Sequence, residues 1–100
     1  MEKYTQIEID EALISLPEWT QQDEKWIVRK FRFPTYLAGV HFVNEVAQLA
    51  ERMNHHPMIA IEFKLITIRL TSWKNAGITS LDVEQAREID VLFAKNISLS

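Results

Sequence analysis

The stretch MIAIEFKLITIRLT, residues 58–71, is the strongest indication of how this chain folds, because its apolar pattern changes phase halfway along. The apolar residues of its first half fall on odd positions and those of its second half on even ones: Ile59, Ile61 and Phe63, then Ile66, Ile68 and Leu70. A continuous strand would keep a single alternation with a period of two. The change around Lys64 and Leu65 therefore favours two antiparallel strands joined by a tight turn, with a bulge as the alternative.

A long amphipathic helix is predicted before this pair of strands. It begins after Thr35, whose hydroxyl can cap the first turn, and Asn54 is suited to end it. Its apolar residues form one broad face, which is typical of a helix that lies on a sheet. That face comprises Tyr36, Leu37, Val40, Phe42, Val43, Val46, Ala47, Leu49, Ala50 and Met53.

Three further elements flank these. A short helix is predicted over residues 7–16, where a proline stops it, and a β-hairpin over 19–33, with its turn at 22–24. The last helix begins at Thr79, in a capping box completed by Asp82. The apolar sides of the two flanking helices are formed by Ile7, Ala12, Leu13 and Leu16 and by Val83, Ala86, Ile89, Val91 and Phe93.

The order of these elements, α-β-β-α-β-β-α, predicts an α+β fold. Hairpins without parallel crossovers imply a four-stranded antiparallel sheet, and the amphipathic helices would cover one of its faces. A chain of 100 residues is large enough for one hydrophobic core but too small for two. Residues 1–100 are therefore expected to form a single domain.

Composition narrows the class of protein. The net charge is −3 and charges of both signs are interspersed, so the basic stripe typical of nucleic-acid binding is missing. The sequence contains no cysteine, which excludes disulfides, thiolate metal sites and a cysteine nucleophile. No apolar run reaches the roughly 18 residues of a membrane span, and the N-terminus has no secretory signal pattern. We expect a cytoplasmic protein without nucleic-acid or membrane partners.

His55-His56-Pro57 is the motif in this sequence with chemical potential. It follows the predicted end of the long helix, and Pro57 favours an extended backbone at His56. Neighbouring extended residues point their side chains in different directions, so one bound ligand could meet both imidazoles. Two groups that exchange protons near neutral pH suit a reaction that protonates one atom and deprotonates another.

Other interpretations of the histidine pair compete with this one. An arbitrary His-His pair is more often part of a polar loop between a helix and a strand. A zinc site is disfavoured because there is no cysteine, the third histidine, His41, lies on the polar face of the long helix, and no ligand spacing is recognisable. Taken alone, the pair is more typical of a loop than of a catalytic site.

The spacing of the surrounding residues changes that balance. The pattern, with intervals of three, five, nine and eight residues, is Glu51, then His55-His56-Pro57, then Phe63, Trp73 and Asp82. It resembles the signature of the pterin-4a-carbinolamine dehydratases. The similarity extends to the order of elements and to Ala76-Gly77-Ile78 before the last helix, and it covers nearly the whole chain.

This resemblance implies an activity. Aromatic amino-acid hydroxylases leave their tetrahydropterin as a 4a-hydroxy adduct, and the family expels that hydroxyl as water to give the quinonoid dihydropterin. Family members use no metal or organic cofactor and act by acid–base catalysis at imidazoles. The resemblance makes His55 and His56 the catalytic pair, with acid and base not assigned between them. The residues that it places at the substrate are Glu51, Pro57, Phe63 and Trp73.

Several of these positions allow a second interpretation. Trp73 stands where the best-known members have a third histidine, and an indole cannot titrate, although it can stack on a pterin ring or simply cover the edge of the core. Glu51 could bond an imidazole or be a solvated charge. Phe63 is predicted more readily in the core than beside a ligand. Asp82 is well explained by helix capping alone.

The resemblance also implies partners. Family members pair sheet edges into dimers and pack helices into tetramers, so a homodimer or homotetramer is expected. The broad apolar helix faces and the strand at 65–71, taken as a poorly protected edge, agree with this. Family relatives also act as a dimerisation cofactor of a transcription factor. The alternatives to pterin recycling are thus a catalytically weak or inactive pterin-binding or protein-interaction module on this fold, and a dehydratase that acts on another pterin.

Overall fold

The computed structural model describes residues 1–98 and has the predicted α+β architecture. Its elements are α1 (Gln6–Ile14), β1 (Thr20–Gln22), β2 (Trp26–Arg32), α2 (Tyr36–Met53), β3 (Met58–Glu62), β4 (Leu65–Leu70), a 3-10 turn (Trp73–Asn75) and α3 (Ser80–Ser98). Within these residues the four strands form one antiparallel sheet in the order β1-β2-β4-β3. Helices pack on one face of it. None of the helices so described is long and apolar enough to cross a lipid bilayer.

The β3–β4 hairpin confirms the change of phase in the sequence. Ile61 pairs with Ile66, and the turn between the strands consists of Phe63 and Lys64, with Phe63 in a left-handed conformation at φ 54°. The even-numbered apolar residues of β4 are fully buried: Ile66, Ile68 and Leu70. Because a slip of one residue would turn them to the other face, this register determines which side of the sheet the helices cover.

β4 lies in the interior of the sheet, between β2 and β3. The expectation that the strand at 65–71 forms an exposed edge is therefore wrong. β4 pairs with β2 from Leu70↔Ile27 to Leu65↔Arg32, and the edges of the sheet are β1 and β3. The local pattern of a hairpin predicts that two strands pair, but it carries no information about the strand that pairs on the other side.

Aromatic contacts fill the core between the sheet and the helices. Phe42 of α2 is fully buried. Its ring centroid lies 5.0–5.8 Å from those of Phe31, Phe33 and Phe93. Gly39 allows α2 to lie close against β4, since a Cβ at this position would be 3.2 Å from Cδ1 of Ile66. The N-terminal part of α2 thereby lies close against the sheet.

The buried faces of the helices are narrower than the sequence indicated. Ile7, Leu37 and Val91 were expected on apolar sides, yet they are exposed, and Tyr36 is half exposed. These four residues lie outside the cluster of buried core residues between the sheet and the helices. Periodicity predicts the direction of a buried face, but the size of the neighbouring surface determines its width.

Candidate functional site

The end of α2 turns the histidine pair back toward α3. Asn54 has a left-handed backbone with φ 50°, and its N–H donates to the carbonyl of Glu51 at 3.3 Å. The N–H of His55 donates to the carbonyl of Ala50 at 3.0 Å. These two hydrogen bonds form the Schellman arrangement that ends many helices. The predicted stop at Asn54 is confirmed, and it carries His55 across to the start of α3.

A buried carboxylate holds the ring of His55. Its Nε2 lies 2.6 Å from Oδ1 of Asp82, and the two residues are 9% and 0% exposed. The other oxygen of Asp82 accepts from the hydroxyl of Ser72 at 2.7 Å and from the backbone N–H of Thr79 at 2.8 Å. An ionised carboxylate has only hydrogen-bond acceptors. His55 therefore donates through Nε2, and its Nδ1 is the nitrogen left for a ligand.

Helix capping accounts for only part of what Asp82 does. The predicted cap is confirmed, because the N–H of Thr79 donates to Asp82 and the hydroxyl of Thr79 accepts from the N–H of Leu81 at 3.2 Å. The bond to His55 is an addition that capping did not predict. One signal for it was present in the sequence: Asp82 and Gln85 are polar, yet they share helical spacing with the apolar residues of the buried face of α3.

The side chain of Gln85 holds the backbone of His55. The Nε2 of Gln85 donates to the carbonyl of His55 at 2.7 Å, and the side chain is fully buried. Its Oε1 has no hydrogen-bond partner within residues 1–98. Leaving a buried acceptor unpaired costs about 1–3 kcal/mol. The hydrogen bond from Nε2 to the His55 carbonyl is the interaction that a glutamine provides at this position and that can offset this cost. Asp82 and Gln85, one turn apart, thus fix both the ring and the carbonyl of His55.

His56 has a carboxylate partner of its own, at the surface. Its Nε2 is hydrogen-bonded to Oε2 of Glu51, and both side chains are more than half exposed. The suggestion that Glu51 bonds an imidazole is therefore confirmed, and His56 is that imidazole. Exposed ion pairs contribute only about 0–1 kcal/mol, so Glu51 orients the ring of His56 without holding it firmly.

Both histidines line one open cleft of about 460 Å³, a volume within the range of small-molecule sites. Trp73 lines the same cleft, in agreement with the position that the family resemblance gave it. The lining also includes Ser72, Lys74 and Leu81, none of which the sequence singled out. They belong to the loop after β4 and the first turn of α3, and no local pattern indicates that this loop faces the end of α2.

Trp73 stands on this cleft with 66% of its surface exposed. The residue begins the 3-10 turn. Because the ring is largely exposed, it does not cover the edge of the core, which was the alternative interpretation of Trp73. The ring of Trp26 packs perpendicular to it, with centroids 5.1 Å apart and planes at 85°. Much of the indole surface therefore remains available to a flat ligand.

Of the four residues that the resemblance places at the substrate, Glu51, Phe63 and Pro57 do not line the cleft. Phe63 lies in the turn at the far end of β3 from His56 and is 67% exposed, so the expectation that it belongs to the core is wrong. The reason is that a turn residue with φ 54° lies outside the paired part of the sheet. Pro57 is half-buried between His56 and the start of β3, where it restrains the backbone of the histidine pair.

His41 is separate from this site. It is exposed on α2, with its Nε2 3.7 Å from Oε1 of Glu45, and it does not line the cleft. In the part of the chain that the structure describes, no three His, Cys, Asp or Glu side chains come together in a way that could hold a metal ion.

The sequence is similar to those of known proteins over most of its length. Residues 2–92 match the family model described as pterin 4 alpha carbinolamine dehydratase. A relative from Mycobacterium leprae is 40% identical over 88 residues, which cover 88% of this chain and 93% of the relative. One from a Picosynechococcus species is 36% identical over 90 residues, or 90% of this chain and 97% of the relative. Both carry the name "Putative pterin-4-alpha-carbinolamine dehydratase".

Solved structures show the same fold. A transcriptional coactivator/pterin dehydratase from Brucella melitensis superposes with a TM-score of 0.88 at 28% identity, and the match covers 92% of this chain and 99% of that one. A pterin dehydratase-like protein described as a RuBisCO assembly factor in the alpha-carboxysome gives a TM-score of 0.65 at 22% identity, over 75% of this chain and 88% of that one. The second likeness concerns the fold alone.

Proposed function

This chain belongs to the pterin 4 alpha carbinolamine dehydratase family, and we propose that it removes water from a 4a-hydroxytetrahydropterin to give the quinonoid dihydropterin. The observation that carries the proposal is that His55 and His56 line one cleft, each with its Nε2 on a carboxylate. Two oriented imidazoles beside one small-molecule cleft suit a reaction that needs one acid and one base.

The reaction needs two proton transfers. The C4a–O bond breaks while one protonated imidazole donates to the departing hydroxyl, which leaves as water. The second imidazole takes the proton from N5, and the N5–C4a bond becomes double. The protein gives one proton and gains one, so neither a co-reactant nor a redox group is consumed. Proton exchange with solvent then restores both imidazoles.

The carboxylates support these transfers to different degrees. Asp82 fixes the tautomer of His55 and stabilises the positive ring that forms when Nδ1 takes up a proton, as a buried aspartate does in catalytic triads. Glu51 has the same relation to His56, but solvent screens its charge. Neither histidine is assigned as the acid or the base, since both rings have one nitrogen directed to a carboxylate.

The direct test is the decay of chemically generated 4a-hydroxytetrahydropterin, followed by absorbance with and without the protein. We expect the wild-type chain to accelerate it, and the double variant His55→Ala, His56→Ala to return it to the uncatalysed rate. Variant His41→Ala is the matched control and should keep the wild-type rate, because His41 lies outside the cleft. Equal decay with and without wild-type protein, or full activity in the double variant, contradicts the proposal.

A pterin-binding module without turnover is the second candidate, and Trp73 is the observation that favours it. An indole cannot titrate, so the two imidazoles alone would carry both proton transfers. The description of the Brucella structure joins coactivator with dehydratase, which supports a protein-interaction role as an alternative for this fold. Saturable binding of a dihydropterin without any acceleration of dehydration would select this candidate over the first.

Self-association is a further proposal. β3 is an edge strand that exposes Met58 and Ile61, and an exposed apolar edge can pair with a second copy of the same strand. We therefore expect a homodimer or homotetramer, as the family resemblance implies. Light scattering on a sizing column measures the state, and a monomer at working concentration would contradict it.

A further inference from the structure

A stack of three side chains runs from the uncovered face of the sheet to the cleft. Arg69 of β4 pairs with Val28 of β2, which places it on the same face as Trp26. The guanidinium carbon of Arg69 lies 4.6 Å from the ring centre of Trp26. Trp26 in turn packs perpendicular to Trp73 at 5.1 Å. Because Trp73 lines the cleft, the last ring of this stack is one of its walls.

The position of the Trp73 ring depends on this stack. Ser72 anchors the backbone before it, since its N–H donates to the carbonyl of Gly77 at 2.9 Å. The side chain of Trp73 itself is two-thirds exposed, and Trp26 is the aromatic ring that packs on it. A large exposed ring that is free to change rotamer would lose that freedom on binding a ligand, whereas a ring held in advance does not.

We infer that Trp26 and Arg69 are positioning residues that hold the Trp73 ring as a preformed wall for the flat ring of the substrate. The inference rests on the proposed function, because it takes that substrate to be a pterin. Arg69 contacts the face of Trp26 by a cation–π interaction, and the perpendicular contact of Trp26 leaves indole surface of Trp73 free for stacking. Neither Trp26 nor Arg69 lines the cleft, so both act through Trp73.

The first experiment compares the kinetics of dehydration in variants along the stack. Because an edge-to-face pair is lost, Trp26→Leu should raise KM about 3- to 10-fold and leave kcat nearly unchanged. Trp26→Phe keeps an aromatic ring and should restore most of the wild-type KM. Arg69→Met should have a smaller effect of the same kind. Lys30→Met is the control, since Lys30 is exposed on the same face of β2 and pairs with Thr67, not with Arg69.

A second experiment separates positioning from a merely structural role. In a Trp73→Ala background, Trp26→Leu should raise KM no further, because the ring that it positions is gone. A structural role would instead lower the thermal midpoint and raise KM by the same factor in both backgrounds. An unchanged KM in Trp26→Leu alone, or fully additive effects in the double variant, overturns the inference.

Binding of 7,8-dihydrobiopterin, measured by titration calorimetry, distinguishes failure of this inference from failure of the proposed function. If the wild-type protein binds it but does not dehydrate the substrate, the dehydratase proposal fails while the stack is still tested through Kd. A Trp26→Leu variant with the wild-type Kd then overturns the stack. A wild-type protein that binds no dihydropterin overturns both.

Discussion

The pairs His55–Asp82 and His56–Glu51 place the same two chemical groups in opposite environments. In the first pair the carboxylate is fully buried and accepts two further hydrogen bonds, from Ser72 and Thr79. In the second, the carboxylate lies in solvent and is bonded to the imidazole. The buried pair joins residues 27 positions apart, and the exposed pair joins residues five apart.

This difference shows what each carboxylate does. Removing a buried carboxylate leaves its donors facing an apolar interior, whereas removing an exposed one lets water take its place. Asp82 therefore ties the histidine to the fold, and its loss affects stability and chemistry together. Glu51 orients a surface ring, and its loss affects chemistry with little change in stability.

Asp82→Ala should have the largest effect. It leaves His55, the Ser72 hydroxyl and the Thr79 N–H without their acceptor, so the free energy of unfolding should fall by about 3–5 kcal/mol, with loss of most dehydratase activity. Urea unfolding measures the first and the pterin decay assay the second. Asp10→Ala on the exposed side of α1 is the control. A change in unfolding free energy no larger than that of the control would remove the distinction between the two pairs.

Gln85→Met should have an intermediate effect. The variant keeps the volume of the side chain and removes the donor to the His55 carbonyl, so unfolding free energy should fall by about 1–3 kcal/mol. Because the ring of His55 stays on Asp82, activity should fall less than in Asp82→Ala. Gln48→Met, at an exposed position of α2, is the matched control. If both glutamine variants behave alike in urea, the backbone contact of Gln85 does not hold His55.

Glu51→Gln should have the smallest effect on stability, at most about 1 kcal/mol, since the pair is exposed. The ring of His56 loses its charged partner, so the dehydration rate should fall modestly at low salt. Raising the ionic strength screens the pair in the wild type, and the difference in rate between the two proteins should then shrink. The measurement is the decay assay at low and at high sodium chloride; a difference that does not depend on salt would mean that Glu51 acts by contact with the ligand instead.

For the site, local sequence reasoning predicted the imidazole pair and a carboxylate on one of them from Glu51, whose partner is near in the chain. Trp73 was placed at the substrate by the family resemblance alone. Sequence reasoning left Asp82 as a cap and did not consider Gln85, because their contacts with His55 cross from one helix to another. The polar residues on the buried face of α3 were the one local sign of those contacts.

For the fold, the same division holds. The β3–β4 turn and the helix ends at Thr35, Asn54 and Thr79 could be predicted, because alternation and capping depend on residues a few positions apart. The place of β4 inside the sheet, the approach of α3 to His55 and the contact of Trp26 with Trp73 could not. These depend on which distant segments bury one another, and that outcome follows from the packing of the whole chain rather than from any stretch of it.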